Sequence, residues 1–210
     1  MDVEVENAAL ALYSELKRCL RKRDFESFEQ RLSEARKIAK AAKLGRTSRC
    51  LINKVADLHE MDGKNMLHLA ALIAAKEDDT RFFVRLLDLK FPIYTEDDHM
   101  NLPPFFITQV QNDSKFLTSY YALIGAGFDL NYPNKDGMTF LQTLLITGEV
   151  SMNKIQGIIQ TRPNLTMEIY NDIEAKVALS WVRTNNPVVK SSMQALKAYI
   201  QSCQDWIQLH

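Results

Sequence analysis

The chain has 210 residues, of which 26 are basic and 26 acidic, so its formal net charge is zero at pH 7. Hydrophobic residues make up 46% and charged residues 25%, a composition that is typical of a globular protein and argues against a disordered or low-complexity chain. The 7 glycines and 6 prolines are too few for many tight β-turns, and we therefore expect a helix-rich fold.

The three cysteines do not indicate a metal site. Cys19, Cys50 and Cys203 lie far apart, and the sequence has no Cys-x-x-Cys pair and no zinc-type Cys/His spacing. We expect no metal and no cofactor. No apolar run follows a basic N-terminus, and no stretch approaches the roughly 18 apolar residues that a membrane span requires. Free thiols without an export signal favour a reducing compartment, so we expect the protein in the cytoplasm, the nucleus or both, and no membrane partner.

Residues 1–57 are predicted to form an N-terminal helical cap. Apolar residues recur at helical spacing over residues 8–20. Asp24 is placed to N-cap a second helix that begins at Phe25. Such a cap would cover one end of the structure that follows it.

Positive charge is concentrated in this cap. The candidate basic patch consists of Lys17, Arg18, Arg21, Lys22, Arg23, Arg36, Lys37, Lys40 and Lys43. A solvated helix face is the simplest interpretation. The functional interpretations are nuclear import, an acidic protein partner and nucleic-acid phosphates. Nucleic acid is the weakest of these, because no aromatic stacking platform or groove-reading motif accompanies the charge.

A pattern recurs along residues 58–166 at intervals of 37 residues. The run DGKNMLHLAA at 62–71 has a counterpart in DGMTFLQTLL at 136–145, and the midpoint between their glycines is Met100. The predicted units are 58–94, 95–131 and 132–166.

Each predicted unit opens with a turn, followed by a short helix and then by a second helix. Leu67, Ala70 and Ala71 share one face of the first short helix. The second helices are predicted at 81–89, 115–124 and 152–160. A helix pair of this size cannot bury its apolar faces alone, so the units must stack into one continuous array.

Residues 167–210 are predicted to form a C-terminal cap or degenerate unit. An inner helix is expected over 173–182, and a further helix is expected to start at Asn186-Pro187. The second of these helices carries an apolar stripe of Met193, Leu196, Ile200, Cys203 and Ile207.

The segment GKNMLHLAA at 63–71 resembles the Gly-x-Thr-Pro-Leu-His-x-Ala-Ala core of the ankyrin repeat. Residues 136–142 resemble the same core, and residues 123–131 resemble the segment that closes a repeat. The resemblance covers 58–166 and implies an all-α, ankyrin-like helical solenoid with helical caps at both ends. The middle unit departs from the pattern, with Met100 at the Gly position and Pro104 at the Leu position, so we expect its turn and inner helix to be distorted.

His68, between two apolar runs, is the first candidate for a catalytic or metal-binding group. The matching positions of the next two units carry Phe105 and Gln142, so the position serves folding in all three. The resemblance to ankyrin repeats implies that His68 bonds Asn65 and steadies the turn. We interpret His68 as structural.

The turn tips are the candidate partner-binding surface, because the resemblance implies a row of tips used for protein contacts. Asp97, Asp98 and His99 contain potential metal-ligand atoms, but adjacent turn residues rarely converge on one ion, and we expect them to be exposed at a tip. The tip residues are Tyr94, Asp97, Asp98, His99, Tyr132, Asn134, Lys135 and Asp136.

The sequence contains no phosphate loop, no Gly-x-Ser-x-Gly elbow and no His-Glu-x-x-His, and we expect no enzyme and no small-molecule substrate. The leading prediction is a non-catalytic module that binds a protein on its concave face and turn tips, including a small inhibitor or adaptor of the IκB type. Two alternatives stay open. One is an enzyme or effector with a site in the flanks, where Cys50 lies beside Arg46 and Arg49. The other is homotypic assembly through the C-terminal stripe.

Overall fold

The structure is a computed structural model that describes residues 2–41, 47–161, 167–179 and 185–209. Within these ranges the fold is all-α, as predicted, apart from one isolated bridge between His59 and Asn65. The helices are α1 Asp2–Lys22, α2 Phe25–Ala41, α3 Thr47–Ala56, α4 Met66–Glu77, α5 Arg81–Asp88, α6 Pro103–Phe106, α7 Asp113–Gly125, α8 Phe140–Ile146, α9 Met152–Thr161, α10 Met167–Leu179 and α11 Pro187–Leu209, with a 3-10 helix, Ile107–Gln109, after α6. None of the described helices is long and apolar enough to cross a membrane.

The first three helices pack against one another. The predicted cap of α2 is confirmed, because Asp24 Oδ1 accepts a hydrogen bond from the Ser27 backbone N–H at 2.9 Å. Helix α3 was not predicted, although Leu51, Ile52 and Val55 are spaced for one helix face and are buried.

The later helices follow one another in two rows. In the first row α4 contacts α6, α6 contacts α8, and α8 contacts α10. In the second row α5 contacts α7, α7 contacts α9, and α9 contacts α11. The N-terminal helices extend both rows: α1 contacts α4, and α2 reaches α5 through the edge-to-face rings of Phe28 and Phe82 at 5.2 Å. One apolar core therefore runs along the described chain.

The C-terminal helices differ from the prediction in their bounds. α10 begins at Met167, six residues before the predicted start, and its predicted end lies outside the described residues. α11 begins where predicted, with Asn186 Oδ1 accepting from the Val188 N–H at 2.9 Å. In the predicted apolar stripe Met193, Leu196 and Ile200 are buried by contacts of α11 with α9 and α10. The side chains of the rest of the stripe, Cys203 and Ile207, lie outside the described part.

Three turns with the same backbone hydrogen bonds precede α4, α6 and α8. The N–H of Glu60, Asp97 and Asn134 donates to the carbonyl oxygen four residues later, at 2.8, 3.1 and 2.8 Å. Gly63, Met100 and Gly137 occupy the left-handed region, with φ of 75°, 58° and 70°. The turn of the middle unit is therefore not distorted, contrary to expectation. Its inner helix is shortened as expected: α6 has four residues, begins with two prolines and has no side-chain cap.

Glycine is required at position 63 for two reasons. Its φ is positive, and a Cβ built there would lie 2.5 Å from Asp98 Oδ1 and 2.8 Å from Asp98 N. The second turn approaches the first too closely for any side chain at this point.

The replacement Met100→Gly should stabilise the protein. Met100 is a non-glycine residue at φ 58° with an exposed side chain, and the left-handed conformation costs such a residue about 1–2 kcal/mol. We expect a gain of about 1 kcal/mol in the free energy of unfolding, which corresponds to a rise in Tm of about 2–4 °C in thermal denaturation. Met61→Gly is the control, because Met61 is also exposed in a turn but has no positive φ, and it should not stabilise. An equal rise in Tm for both variants would contradict the explanation.

Candidate interaction surfaces

The three turns lie side by side and define the turn row, residues 60–64, 97–101 and 134–138. The Asp98 N–H donates to the Asp62 carbonyl oxygen at 3.0 Å, and Lys64 Nζ lies 3.7 Å from Asp97 Oδ2. Lys135 Nζ donates to the His99 carbonyl oxygen at 3.4 Å. The first turn is therefore bonded to the second, and the second to the third.

Asp97 and Asn134 hold their turns from the inside. Asp97 Oδ1 accepts from the His99 and Asn101 backbone N–H groups at 2.9 Å each. Asn134 Oδ1 accepts from the Asp136 and Met138 N–H groups, also at 2.9 Å. Asp97 is only 5% exposed, so the expectation that it stands exposed at a tip is wrong.

The physical reason for the burial of Asp97 is that a turn has backbone N–H groups pointing inward, and a short carboxylate or amide satisfies them. Burial raises the pKa of Asp97, but the hydrogen bonds from Asn101 and His99 and the charge of Lys64 outweigh it. The pKa therefore lies below the ordinary value.

The other predicted tip residues reach solvent to a greater extent. Asp98, His99, Lys135 and Asp136 are exposed, and Asn134 is half-buried. Tyr94 and Tyr132 are 42% and 38% exposed. The rings of the two tyrosines pack together with centroids 4.9 Å apart, and Tyr94 Oη accepts from the Asp129 N–H at 2.7 Å. The structure thus brings these side chains onto one edge of the molecule.

Two exposed methionines also belong to this edge and were not predicted from the sequence. Met61 is fully exposed at the first turn and Met100 is 59% exposed at the second. Their positions within the recurring turn motif were the available signal, since Met61 matches Asp98 and Lys135 at intervals of 37 residues.

His68 is a buried residue that hydrogen-bonds two segments of the structure. It is fully buried, and with Asn65 it forms a capping box at the start of α4, in which Asn65 Oδ1 accepts from the His68 N–H at 3.0 Å. The ring Nε2 lies 2.9 Å from the Asn101 carbonyl oxygen, so Nε2–H donates to the second turn. The predicted contact of His68 with Asn65 is confirmed.

The equivalent residues of the other two predicted units, Gln142 and Phe105, differ in how they contribute to the start of their helices. Gln142 caps α8, with Oε1 accepting from the Thr139 N–H at 2.8 Å, and its amide reaches Asp172 on α10. Phe105 has no polar atom in its side chain, and α6 lacks a side-chain cap. The start of α6 therefore lacks the side-chain cap that α4 and α8 have.

The basic patch is only partly described. Arg18, Arg21, Lys22, Arg23 and Lys37 are exposed. Lys43 lies outside the described residues, and the side chains of Arg36 and Lys40 are not described.

Lys17 is not a free surface charge, because it pairs with Glu60, which also accepts from Tyr13 Oη at 2.7 Å. Burial raises the pKa of Glu60, but the hydrogen bonds from Lys17 and Tyr13 outweigh it, so the pKa is lowered. This pair ties α1 to the first turn.

The described residues contain no group of three or more His, Cys, Asp or Glu side chains that could hold a metal ion. Burial raises the pKa of the Cys19 thiol, which makes it a poor nucleophile. The side chains of Cys50 and Cys203 lie outside the described part, and so does Arg46. Comparison of the chain with protein-family models, curated proteins and solved structures finds no match.

The replacement Asn65→Thr should stabilise the capping box. Within the described residues, Asn65 Nδ2 is buried without a hydrogen-bond partner, and Oδ1 faces the His68 ring Nδ1 at 2.8 Å. A threonine hydroxyl would accept from the His68 N–H and donate to Nδ1, as one rotatable group. Removal of the orphaned donor should raise the free energy of unfolding by about 1–2 kcal/mol, measured by urea denaturation. The reciprocal change Thr139→Asn should lower it, and two changes of the same sign would contradict the argument.

Stability should fall as the pH drops below the ordinary histidine pKa of about 6.5. Burial lowers the pKa of His68, and the charges of Lys64 and His59 lower it further. The Asn101 carbonyl and the charge of Asp97 raise the pKa, but their effect is smaller. The unfolded chain therefore binds this proton more readily, and the stabilisation is present above about pH 6.5 and is lost towards the lowered pKa. Urea denaturation from about pH 7.5 to about pH 5 should show this loss.

His68→Gln is the matched variant for this measurement, because α8 carries glutamine at the same cap position. It should remove most of the pH dependence in that window. An unchanged pH dependence would assign the effect to other groups.

Proposed function

We propose that this protein is a non-catalytic, protein-binding module built as an ankyrin-type array, and that the turn row with Tyr94 and Tyr132 binds the partner. The observation that carries the proposal is the location of exposed apolar side chains. Among the residues whose side chains the structure describes, seven large hydrophobic ones are exposed: Leu10, Met61, Tyr94, Met100, Tyr121, Tyr132 and Val188. Four of them, Met61, Tyr94, Met100 and Tyr132, lie on this one edge.

The array is supported by structural features that recur at the predicted interval. Besides the three turns, the ends of α5 and α7 match. Lys90 and Gly127 have φ of 64° and 87°, and the next residue in each case donates five residues back, Phe91 to the Leu86 carbonyl and Phe128 to the Leu123 carbonyl. The two rows of helices are the packing that a stacked array of helix pairs would produce.

The binding role is supported by the chemistry and rigidity of the edge. Tyrosine and methionine are enriched at protein interfaces, where a large side chain excludes water at a small cost in conformational entropy. The surrounding charges, Asp98, Lys135 and Asp136, would form a polar rim. Hydrogen bonds between the turns hold the row in place before binding, which lowers the entropic cost of association.

The test is affinity purification from native lysate with quantitative mass spectrometry. The variant Met61→Ser/Met100→Gly/Tyr132→Ser removes apolar surface from the turn row without touching the buried Asp97 or the Tyr94 hydroxyl that accepts from Asp129. We expect the wild type to retain a stoichiometric partner. We expect this variant to lose at least about nine-tenths of that partner, because truncation of hot-spot residues costs about 2 kcal/mol of binding free energy.

The control is Leu10→Ser/Tyr121→Ser/Val188→Ser, which removes the same kind of exposed surface away from the turn row. It should retain the partner. If the control loses the partner while the turn-row variant keeps it, the binding surface lies elsewhere and the proposal is wrong. Circular dichroism spectra of the three proteins should coincide.

A further inference from the structure

Helix α4 has apolar side chains around its whole circumference. Met66, Leu67, Ala70, Ala71 and Ala74 are buried in the core. On the other side, Leu69, Leu72 and Ile73 are only half-buried. A helix that is apolar all round is normally covered on every side, and this one is not covered by the described residues of its own chain.

Helix α8 supplies an internal comparison. Counted from the capping boxes at Asn65 and Thr139, Leu69 and Ile73 of α4 correspond to Thr143 of α8 and to Thr147, which follows the last residue of α8. The fold thus accepts threonine at both positions. The need to close the core does not explain the leucine and isoleucine on α4.

The half-buried face of α4 forms the floor of a groove of about 360 Å3. We name it the α1–α4 groove, because the end of α1 supplies its second wall. It is lined by Leu20, Arg21, Arg23, Leu69, Leu72, Ile73, Lys76 and Glu77. Its volume accommodates a few side chains of a peptide, and its open shape along a helix favours an elongated ligand.

The rim of the α1–α4 groove is positive. Arg23 is paired with Glu77 at 2.7 Å, which leaves Arg21 and Lys76 without a carboxylate partner among the described residues. Arg18 and Lys22 are exposed on the same last turns of α1 and add to the charge. An apolar floor with a cationic rim is complementary to a segment that carries apolar side chains on one face and carboxylates beside them.

We propose that the α1–α4 groove binds an acidic amphipathic helical segment of a partner protein. Apolar side chains three or four residues apart in that segment would lie on Leu69, Leu72 and Ile73, which have the same spacing. Its Asp and Glu residues would face Arg21 and Lys76. This inference rests on the proposed function in taking the chain to be a binding module, but it concerns a surface that is separate from the turn row.

The test is selection from a displayed library of random 16-residue peptides with the full-length protein as bait. The enriched peptides are expected to carry apolar residues at i, i+3 or i+4 and an excess of Asp and Glu. Their Kd, measured by fluorescence anisotropy, should rise at higher salt because the rim charges are exposed. Enrichment of basic or uncharged peptides, or of none, would overturn the proposal.

Two variants locate the bound peptide. Leu69→Thr/Ile73→Thr copies the residues of α8 and should raise the Kd of the enriched peptides roughly tenfold or more. Arg21→Ser/Lys76→Ser should raise it about fivefold and reduce its salt dependence. An unchanged Kd in the threonine variant would show that the peptides bind elsewhere. The alternative ligands are anionic vesicles and RNA, which would bind the same cations and compete with the peptides. The proposal would be overturned if they do so and if the threonine variant binds them as well as the wild type.

The turn-row variant separates this proposal from the proposed function. It should bind the selected peptides with the affinity of the wild type, since none of its substitutions lines the α1–α4 groove. Loss of the lysate partner with retained peptide binding would support both surfaces. If the peptides fail to bind while the turn-row variant still loses the partner, only the groove proposal fails.

Discussion

The hydrogen bond from His68 to the Asn101 carbonyl oxygen is the interaction on which the arrangement of the turns depends. A fully buried imidazole must have partners for its ring nitrogens, and it finds one at the start of its own helix and one in the next turn. The same side chain therefore closes the N-terminus of α4 and sets the distance to the second turn. The close approach of that turn at Gly63 follows from this geometry.

This arrangement explains why the turn row is polar inside and partly apolar outside. Asp97 and Asn134 accept hydrogen bonds from the backbone N–H groups of their own turns. Once the inner positions are taken by these polar groups, the outer positions carry little structural constraint. Met61 and Met100 occupy two of these outer positions, and their apolar side chains are costly to expose to water. The proposed binding role would account for their exposure.

The two proposed surfaces differ in physical character. The turn row offers exposed aromatic and thioether side chains on a rigid backbone. It therefore favours a partner that binds through a large apolar contact area. The α1–α4 groove combines half-buried leucines with Arg21 and Lys76, which have no carboxylate partner in the part of the chain that the structure describes. It therefore favours a partner of opposite charge and defined periodicity. The neutral net charge of the chain conceals this second surface, because 13 of the 26 basic residues but only 9 of the 26 acidic residues lie in 1–57.

Local patterns in the sequence were sufficient to predict the helix class, most helix positions, the cap at Asp24 and the start of α11 at Asn186-Pro187. These features depend on residues three or four positions apart, which interact within one helix or one turn. The exposed edge formed by Met61 and Met100 and the groove between α1 and α4 were not predictable in this way. They arise where segments more than 30 residues apart meet, and no local spacing encodes that distance. The sequence by itself thus determined the helix class and most of the helices. Only the tertiary structure decided which side chains face the core, the neighbouring turn or the solvent, because burial is a property of the packed whole.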